Sequence, residues 1–441
     1  MNPSRRSSLP RTLLAGAVLA LVLGACLGKG RDVPDDPSSG PDPSGDGEPT
    51  PILRGAALPP GFQDGPVPVT PGPTAEADKG GPTEVPLDDQ PLPPPQTGPV
   101  TMTSPDYAIQ AFLWWRPEVA DRDLGLAKDM GFRWVKQIFG WRDIELSKGR
   151  FDWTRTDRIV KQANKHGLQL LIRIDHQPEW TRAGCENMGP PEKLQDMADY
   201  LSAVATRYKG LIGAYQIWNE PNLAREWCGQ APDPALYARM LSVSYAALKA
   251  ADPRALVISA GLSPTGSQPP EAMPDDDYLR SLYEAMGGSS DGHFDLLGVH
   301  AAGFAAPPET SPDEAASDPK YGSERFFTFR RVEDLRAIQE SFGEKDKRVA
   351  VLEMGWTSDT VHPAYAWHAV SEATKADYLV RAYQYAEAHW QPWVAVMSAI
   401  YLCDQDWTQA DEQYWWCVNE PDGTDRPAFA ALKAMEKLPG R

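Results

Sequence analysis

Basic charge is what this sequence is short of. Its 43 Lys and Arg face 61 Asp and Glu, a formal net charge of −18. Binding to nucleic acid rests on basic patches that neutralise phosphates, so a nucleic-acid partner is not expected. Cysteine is scarce too: five in 441 residues, with no CxxC pair, which argues against a zinc site. No Gly-rich turn follows an early apolar run, as a dinucleotide-binding doubly wound sheet would require. No cluster of His, Asp and Glu has metal-ligand spacing, so neither a catalytic metal nor another cofactor is expected. The N-terminal apolar run extends only from Leu13 to Ala25, too short for a comfortable membrane span.

That short run has a different use. Arg5, Arg6 and Arg11 precede it, and it ends in Leu23-Gly24-Ala25-Cys26. A charged start and a brief apolar stretch read as a secretory signal. The ending resembles the bacterial lipobox, which implies cleavage after Ala25 and a lipid on Cys26. The plainer alternative is an ordinary signal peptide followed by an accidental cysteine; either way the protein is exported. The expectation is a membrane-anchored protein on the outer face of a bacterial membrane. Residues 31–100 then hold 19 of the chain's 43 prolines. Such a segment cannot bury enough apolar surface to offset its ordering entropy, so residues 26–104 read as a disordered tether.

From about Pro105 the pattern changes. Eight short apolar runs read as strands: 108–113, 134–138, 168–174, 213–218, 255–260, 294–299, 348–352 and 395–401. Between them lie amphipathic stretches such as 156–166, 194–208, 234–250, 331–342 and 374–389. Strand–helix alternation implies a parallel sheet, and eight units imply a closed α/β architecture, the (β/α)8 TIM barrel, over residues 105–441. A monomer is expected. Barrels of this kind carry function at the C-terminal ends of their strands. The fourth strand ends in Asn219-Glu220, the seventh in Glu353, the sixth in His300, the third in Asp175-His176, and the eighth near Tyr401 and Asp404.

Two carboxyl groups across one barrel mouth suit glycoside hydrolysis. One protonates the leaving oxygen, and the other attacks the sugar carbon or activates water. The plainer reading of either Glu is an ion-paired residue at a strand end. Tryptophans 114, 115, 141, 180, 356 and 407 fall near strand ends. Part of the set is core, and Trp141, Trp180 and Trp356 are the expected sugar platforms. His176 reads equally as a site residue or a loop histidine. With Cys26 lipidated, four cysteines remain, an even number suited to disulfides. Four cysteines allow three pairings. Cys185 and Cys228 follow neighbouring strands and Cys403 and Cys417 flank one loop, so those two pairs are expected.

The stretches "IWNEPN" (217–222), "LEMGW" (352–356) and "WRDIELSKGRFDW" (141–153) resemble the retaining glycosidases of clan A. They are most similar to the family 39-like group and also resemble family 5 cellulases. The resemblance covers roughly residues 105–438. It implies that Glu220 is the acid/base, Glu353 the nucleophile, and Asn219 the partner of the sugar 2-OH. It places His300 and Lys136 in the substrate site, with Tyr401 lining it. One departure stands out: where the family often has a tyrosine touching the nucleophile, this chain has Ala302, leaving Phe304 or Tyr401 to fill the space. A non-catalytic sugar-binding lipoprotein is the rival, but loss of catalysis would be expected to cost one Glu of the pair. A structural envelope protein would not need the Trp-Asn-Glu-Pro motif.

Overall fold

The computed structural model describes residues 90–185 and 188–438; the expected signal segment, Cys26 and the expected tether as far as residue 89 lie outside them. Among the described residues, the eight strands of the main sheet alternate with eight longer helices, while a small hairpin (Glu145–Ser147 with Arg150–Phe151) and shorter helical turns sit in the loops. The strands are β1 (Asp106–Gln110), β2 (Trp134–Gly140), β3 (Gln169–Asp175), β4 (Ala214–Ile217), β5 (Leu256–Ser259), β6 (Leu297–Ala302), β7 (Val349–Gly355) and β8 (Val394–Ala399). The helices that follow each in turn are α1 (Pro117–Asp129), α2 (Thr154–His166), α3 (Leu194–Arg207), α4 (Pro234–Ala251), α5 (Asp275–Ala285), α6 (Arg331–Ser341), α7 (Glu372–His389) and α8 (Pro427–Ala434). All pairs within the sheet are parallel, in the order β5-β4-β3-β2-β1-β8-β7-β6. The remaining gap, between β5 and β6, is crossed by one parallel bridge, Ile258 with Leu296. The Asp295 amide donates to the Val257 carbonyl there at 2.7 Å. This is the expected (β/α)8 barrel.

Helix limits follow local chemistry. Asp233 caps α4 by accepting from the Leu236 amide at 2.9 Å, with Pro234 at the first helical position. Gly167 closes α2 in a left-handed conformation, φ 72°, which glycine adopts without a Cβ penalty.

The interior is built in two layers. Side chains two apart on a strand share a face, so each strand offers one residue to the base and the next-but-one to the mouth. Trp134, Leu171, Ala214, Ile258, Leu352 and Val396 belong to one buried apolar cluster that plugs the base. Gly213 leaves room for the Trp134 ring: a Cβ there would lie 2.6 Å from the indole. Two residues further along β2, β3 and β4 come Lys136, Arg173 and Gln216, all buried. The polar layer therefore sits directly on an apolar floor, which keeps water out from below.

Residues 90–104 are not loose. Val100 and Met102 pack against the base cluster, and the Gln96 amide donates to the Gly210 carbonyl at 3.0 Å. The Arg348 guanidinium donates to the Thr103 carbonyl at 2.6 Å. The folded unit thus begins earlier than Pro105, because a few apolar residues among the prolines find the open end of the barrel.

Candidate active site

Glu353 owes its orientation to an irregularity. Val299 pairs with Val351 but His300 pairs with Glu353, so Leu352 is an extra residue in β7. Such a bulge breaks the in–out alternation. Consecutive side chains then face inward, Leu352 into the apolar base and Glu353 into the polar layer. Lys136 on β2 meets Glu353 Oε1 at 2.8 Å, and its ammonium also donates to the Leu352 carbonyl at 3.1 Å. Arg173 Nη1 and His300 Nε2 each lie 3.8 Å from the same carboxylate oxygen. Burial opposes ionisation of Glu353, but His300, Lys136 and Arg173 outweigh it and hold the carboxyl down at about 2. Glu353 is thereby held in its ionised form. With Ala302 in place of a tyrosine, Lys136 gives this carboxylate a direct hydrogen bond. Ala302, Phe304 and Tyr401 share an aromatic-rich cluster with Phe326 and Ile400.

The Lys136→Met variant tests this electrostatic support. Losing an opposite charge in contact raises a carboxyl by roughly 1–3 pH units. The acidic limb of kcat/KM should therefore move to higher pH, read from a pH–rate profile on an activated aryl glycoside. An unmoved limb would show that His300 and Arg173 suffice.

Glu220 lies where β4 ends in a sharp turn. Trp218 and Glu220 have φ of 68° and 43°, a region that non-glycine residues enter at a cost. The surroundings hold it there: the Trp218 amide donates to the Ile174 carbonyl at 2.8 Å, and the Glu220 amide to the Gly261 carbonyl at 3.1 Å. Asn222 steadies the next stretch, donating to the Ser263 and Met273 carbonyls at 2.9 and 3.0 Å. Glu220 Oε1 lies 3.2 Å from His300 Nδ1, and Oε2 is ion-paired with Arg225. The His300 imidazole thus lies between the two carboxylates, hydrogen-bonded to Glu220 and with Nε2 3.8 Å from Glu353. It fits only because residue 261 is glycine; a Cβ there would come 2.0 Å from the ring. Asn219 Oδ1 accepts from Gln216 at 3.1 Å.

Lys136, Glu220, His300 and Glu353 therefore form one connected set, with Asn219 beside it. Of the three tryptophans expected as platforms, Trp180 alone keeps part of its surface. Trp141 is 1% exposed, stacked on Tyr200 of α3, with its indole donating to Glu145 at 2.6 Å. Trp356 is fully enclosed, with its indole on the Ala306 carbonyl at 2.9 Å and its ring against Phe329 and Tyr378. Both belong to the core between strands and helices. Tyr401 lies at the rim against Phe112 and Trp407. His176 contacts Asp175, which also takes Arg173. Burial opposes ionisation of Asp175, but Arg173 and His176 outweigh it and hold it well below the usual carboxylate range.

Three charged residues at the site escape the motif reading: Arg173, Arg225 and Glu226. Arg173 is two residues before Asp175 on an inward-facing register, which is a usable signal. Arg225 and Glu226 follow the Glu220 motif within one short loop, and the signal for them is the disulfide that returns this loop to the rim. Cys185 and Cys228 are bonded with Cα atoms 5.3 Å apart, and Cys403 and Cys417 with Cα atoms 5.1 Å apart. These are the expected pairs. Replacing Cys185 and Cys228 with serine should cost about 2–4 kcal/mol of stability. It should lower kcat/KM more than the matching change at Cys403 and Cys417, because Arg225 and Glu226 sit on the first loop. Denaturant titration and aryl-glycoside kinetics on both double variants decide this.

Comparison with known proteins agrees with the barrel fold. A family model described as Glycosyl hydrolase family 10 matches residues 127–256, a span that contains Glu220 and stops short of Glu353. No curated protein is significantly similar to the chain in sequence. Among solved structures, a family 39 glycoside hydrolase from Bacteroides cellulosilyticus WH2 superimposes with a TM-score of 0.54 at 18% identity. The alignment covers 75% of this chain and 63% of that one, so the chain spans less than two thirds of this relative's length. A glucosidase from Croceicoccus marinus gives 0.54 at 14% identity, over 76% and 68% of the two chains. GH5_18 from Streptomyces cattleya, solved with GlcNAc, gives 0.54 at 15%, over 76% and 80%. The barrel is a fold that the chain shares with these glycoside hydrolases. The chain is similar to families 39 and 5 in fold and, over residues 127–256, to family 10 in sequence.

Proposed function

We propose that the protein is a retaining glycoside hydrolase that cleaves O-glycosidic bonds of a polysaccharide or oligosaccharide by double displacement. The supporting observation is the pair of carboxyl groups on either side of the His300 ring, with Glu353 held ionised by His300, Lys136 and Arg173 against its burial. In the first step Glu353 attacks the anomeric carbon while Glu220, protonated, gives its proton to the departing oxygen. A covalent glycosyl–Glu353 ester results. In the second step water attacks the same carbon, its proton passes to Glu220, and the Glu353 carboxylate is released. Two inversions return the starting anomeric configuration. Lys136 orients and charges the nucleophile, and Asn219 is placed to bind the sugar 2-OH. NMR of the first-formed product from an aryl β-glycoside tests the reading, and an inverted anomer refutes it. Product sizing on a panel of polysaccharides identifies the sugar.

The protein acts outside the cell, tethered by lipid on Cys26. This reading rests on the Arg-rich start, the short apolar run and the Pro-rich segment after it. Cys26→Ala should release the enzyme from the membrane fraction; retention there would refute the lipid anchor.

A further inference from the structure

The ion pair on Glu220 poses a chemical difficulty. A carboxylate engaged by a guanidinium is poorly placed to give up a proton, yet the first step requires Glu220 as an acid. Arg225 comes from the short loop after β4, residues 224–227. Its Nη2 contacts Glu220 Oε2, and its Nε lies 3.4 Å from Glu226 Oε1. The guanidinium therefore stands between two carboxyl groups. Glu226 is 1% exposed; its second oxygen, Oε2, is buried with no hydrogen-bond partner among the described residues, and so is Arg225 Nε. Burial of a polar atom without a partner is costly, so an acceptor left in this state beside a guanidinium suggests a second arrangement that satisfies it.

We propose that Arg225 and Glu226 are positioning residues that switch Glu220 between base and acid, the guanidinium pairing with Glu220 in one state and with Glu226 in the other. This rests on the glycosidase reading above. When Arg225 engages Glu220, the single negative charge sits on Glu220, ready to accept a proton from water. When Arg225 turns to Glu226, the charge sits there and Glu220 is free to carry the proton that the leaving group takes. The two resting states differ by one proton passed between the carboxyls: in the acid state Glu220 holds it and gives it to the leaving oxygen, Arg225 then faces two carboxylates, and the attacking water returns a proton to Glu220 in the second step. The backbone need not move. Cys228 is tied to Cys185 and its amide donates to the Met188 carbonyl at 2.8 Å, while the Ala224 amide donates to the Glu271 carbonyl at 2.9 Å. Arg225 keeps 29% of its side-chain surface, enough to rotate.

Other groups face this pair from neighbouring elements. His300 on β6 touches Glu220, while Arg173 and Asp175 on β3 act on Glu226, and Tyr365 after β7 senses Arg225. Burial pushes Glu226 up to about 8 against the pull of Arg225 and Arg173, consistent with its being neutral while Arg225 serves Glu220.

A double-mutant cycle on Arg225→Met and Glu226→Gln tests this, with pH profiles on aryl glycosides of poor leaving groups. Glu226→Gln preserves shape but cannot take the charge, so Arg225 stays on Glu220. First-step rates at pH 7 should fall about tenfold for each unit by which the alkaline limb moves down. Arg225→Met should move that limb up by roughly 1–3 units. In the Arg225→Met background, Glu226→Gln should shift nothing. An equal shift in both backgrounds would mean that Glu226 acts only through packing, and would overturn the switch. Infrared spectra of protein labelled with ¹³C-carboxyl glutamate give a readout that needs no activity. At pH 7 the wild type should show a protonated carboxyl that Glu226→Gln loses, and Arg225→Met should gain one. An unchanged count in Arg225→Met refutes the switch. If the wild type hydrolyses no glycoside, the glycosidase reading fails while the spectra still decide the charge coupling.

Discussion

Glu353→Ala is expected to lower kcat for every aryl glycoside by roughly 10⁴-fold or more, whatever the leaving group, because no bond to the anomeric carbon can form in the first step. The loss should be independent of leaving-group acidity, since protonation by Glu220 cannot help a reaction that has lost its nucleophile. Azide should restore part of the rate and yield a glycosyl azide of inverted configuration, as a small anion entering the vacated space attacks once. The cavity should attract an anion: Lys136 and Arg173 lie 2.8 and 3.8 Å from the missing oxygen, and His300 Nε2 also lies 3.8 Å away. The emptied space beside Lys136 and Arg173 should also make the variant less stable than Glu353→Gln, which preserves the shape. Azide rescue with retained configuration, or a residual rate that tracks the leaving group, would transfer the nucleophile's role elsewhere.

Removing the other carboxyl should fail in a different way. Glu220→Ala loses the proton donor, and general acid catalysis is worth about 10²–10⁴-fold. That loss should fall on poor leaving groups. An activated aryl glycoside leaves without assistance, so the covalent intermediate should still form and then accumulate, because no base activates water. Mass spectrometry should find the sugar attached to Glu353. Azide needs no base, so it should discharge the intermediate and give a product of retained configuration. Glu220→Gln is the companion variant, since alanine also strips Arg225 of its partner. If both glutamate variants show the same leaving-group dependence, the roles assigned to them are wrong.

These expectations depend on features of unequal visibility in the sequence. The barrel was legible because strands and helices carry different periods, and eight alternations leave little choice of architecture. Glu220 and Glu353 were legible because each closes a long apolar run, an expensive place for a carboxyl without a purpose. The cysteine pairs followed from which loops share the rim. The tryptophans were misleading as a guide to the cleft: Trp141 and Trp356 near strand ends are enclosed by Tyr200, Phe329 and Tyr378, residues brought from elsewhere in the chain.

The sequence by itself determined the order of elements, the strand that carries each carboxyl and the loop that carries each cysteine, because these depend on local pattern and chain order. Tertiary structure alone decided the charge state and aim of the site. Leu352 and Glu353 face inward together only because β7 bulges against β6. Lys136 reaches Glu353 across 217 positions of sequence, and Arg225 and Glu226 return to Glu220 only through the loop closed at Cys228. Electrostatic effects depend on distance and burial rather than on sequence order. The ionisation of Glu353 and the competition for Arg225 could therefore arise only once the barrel had closed.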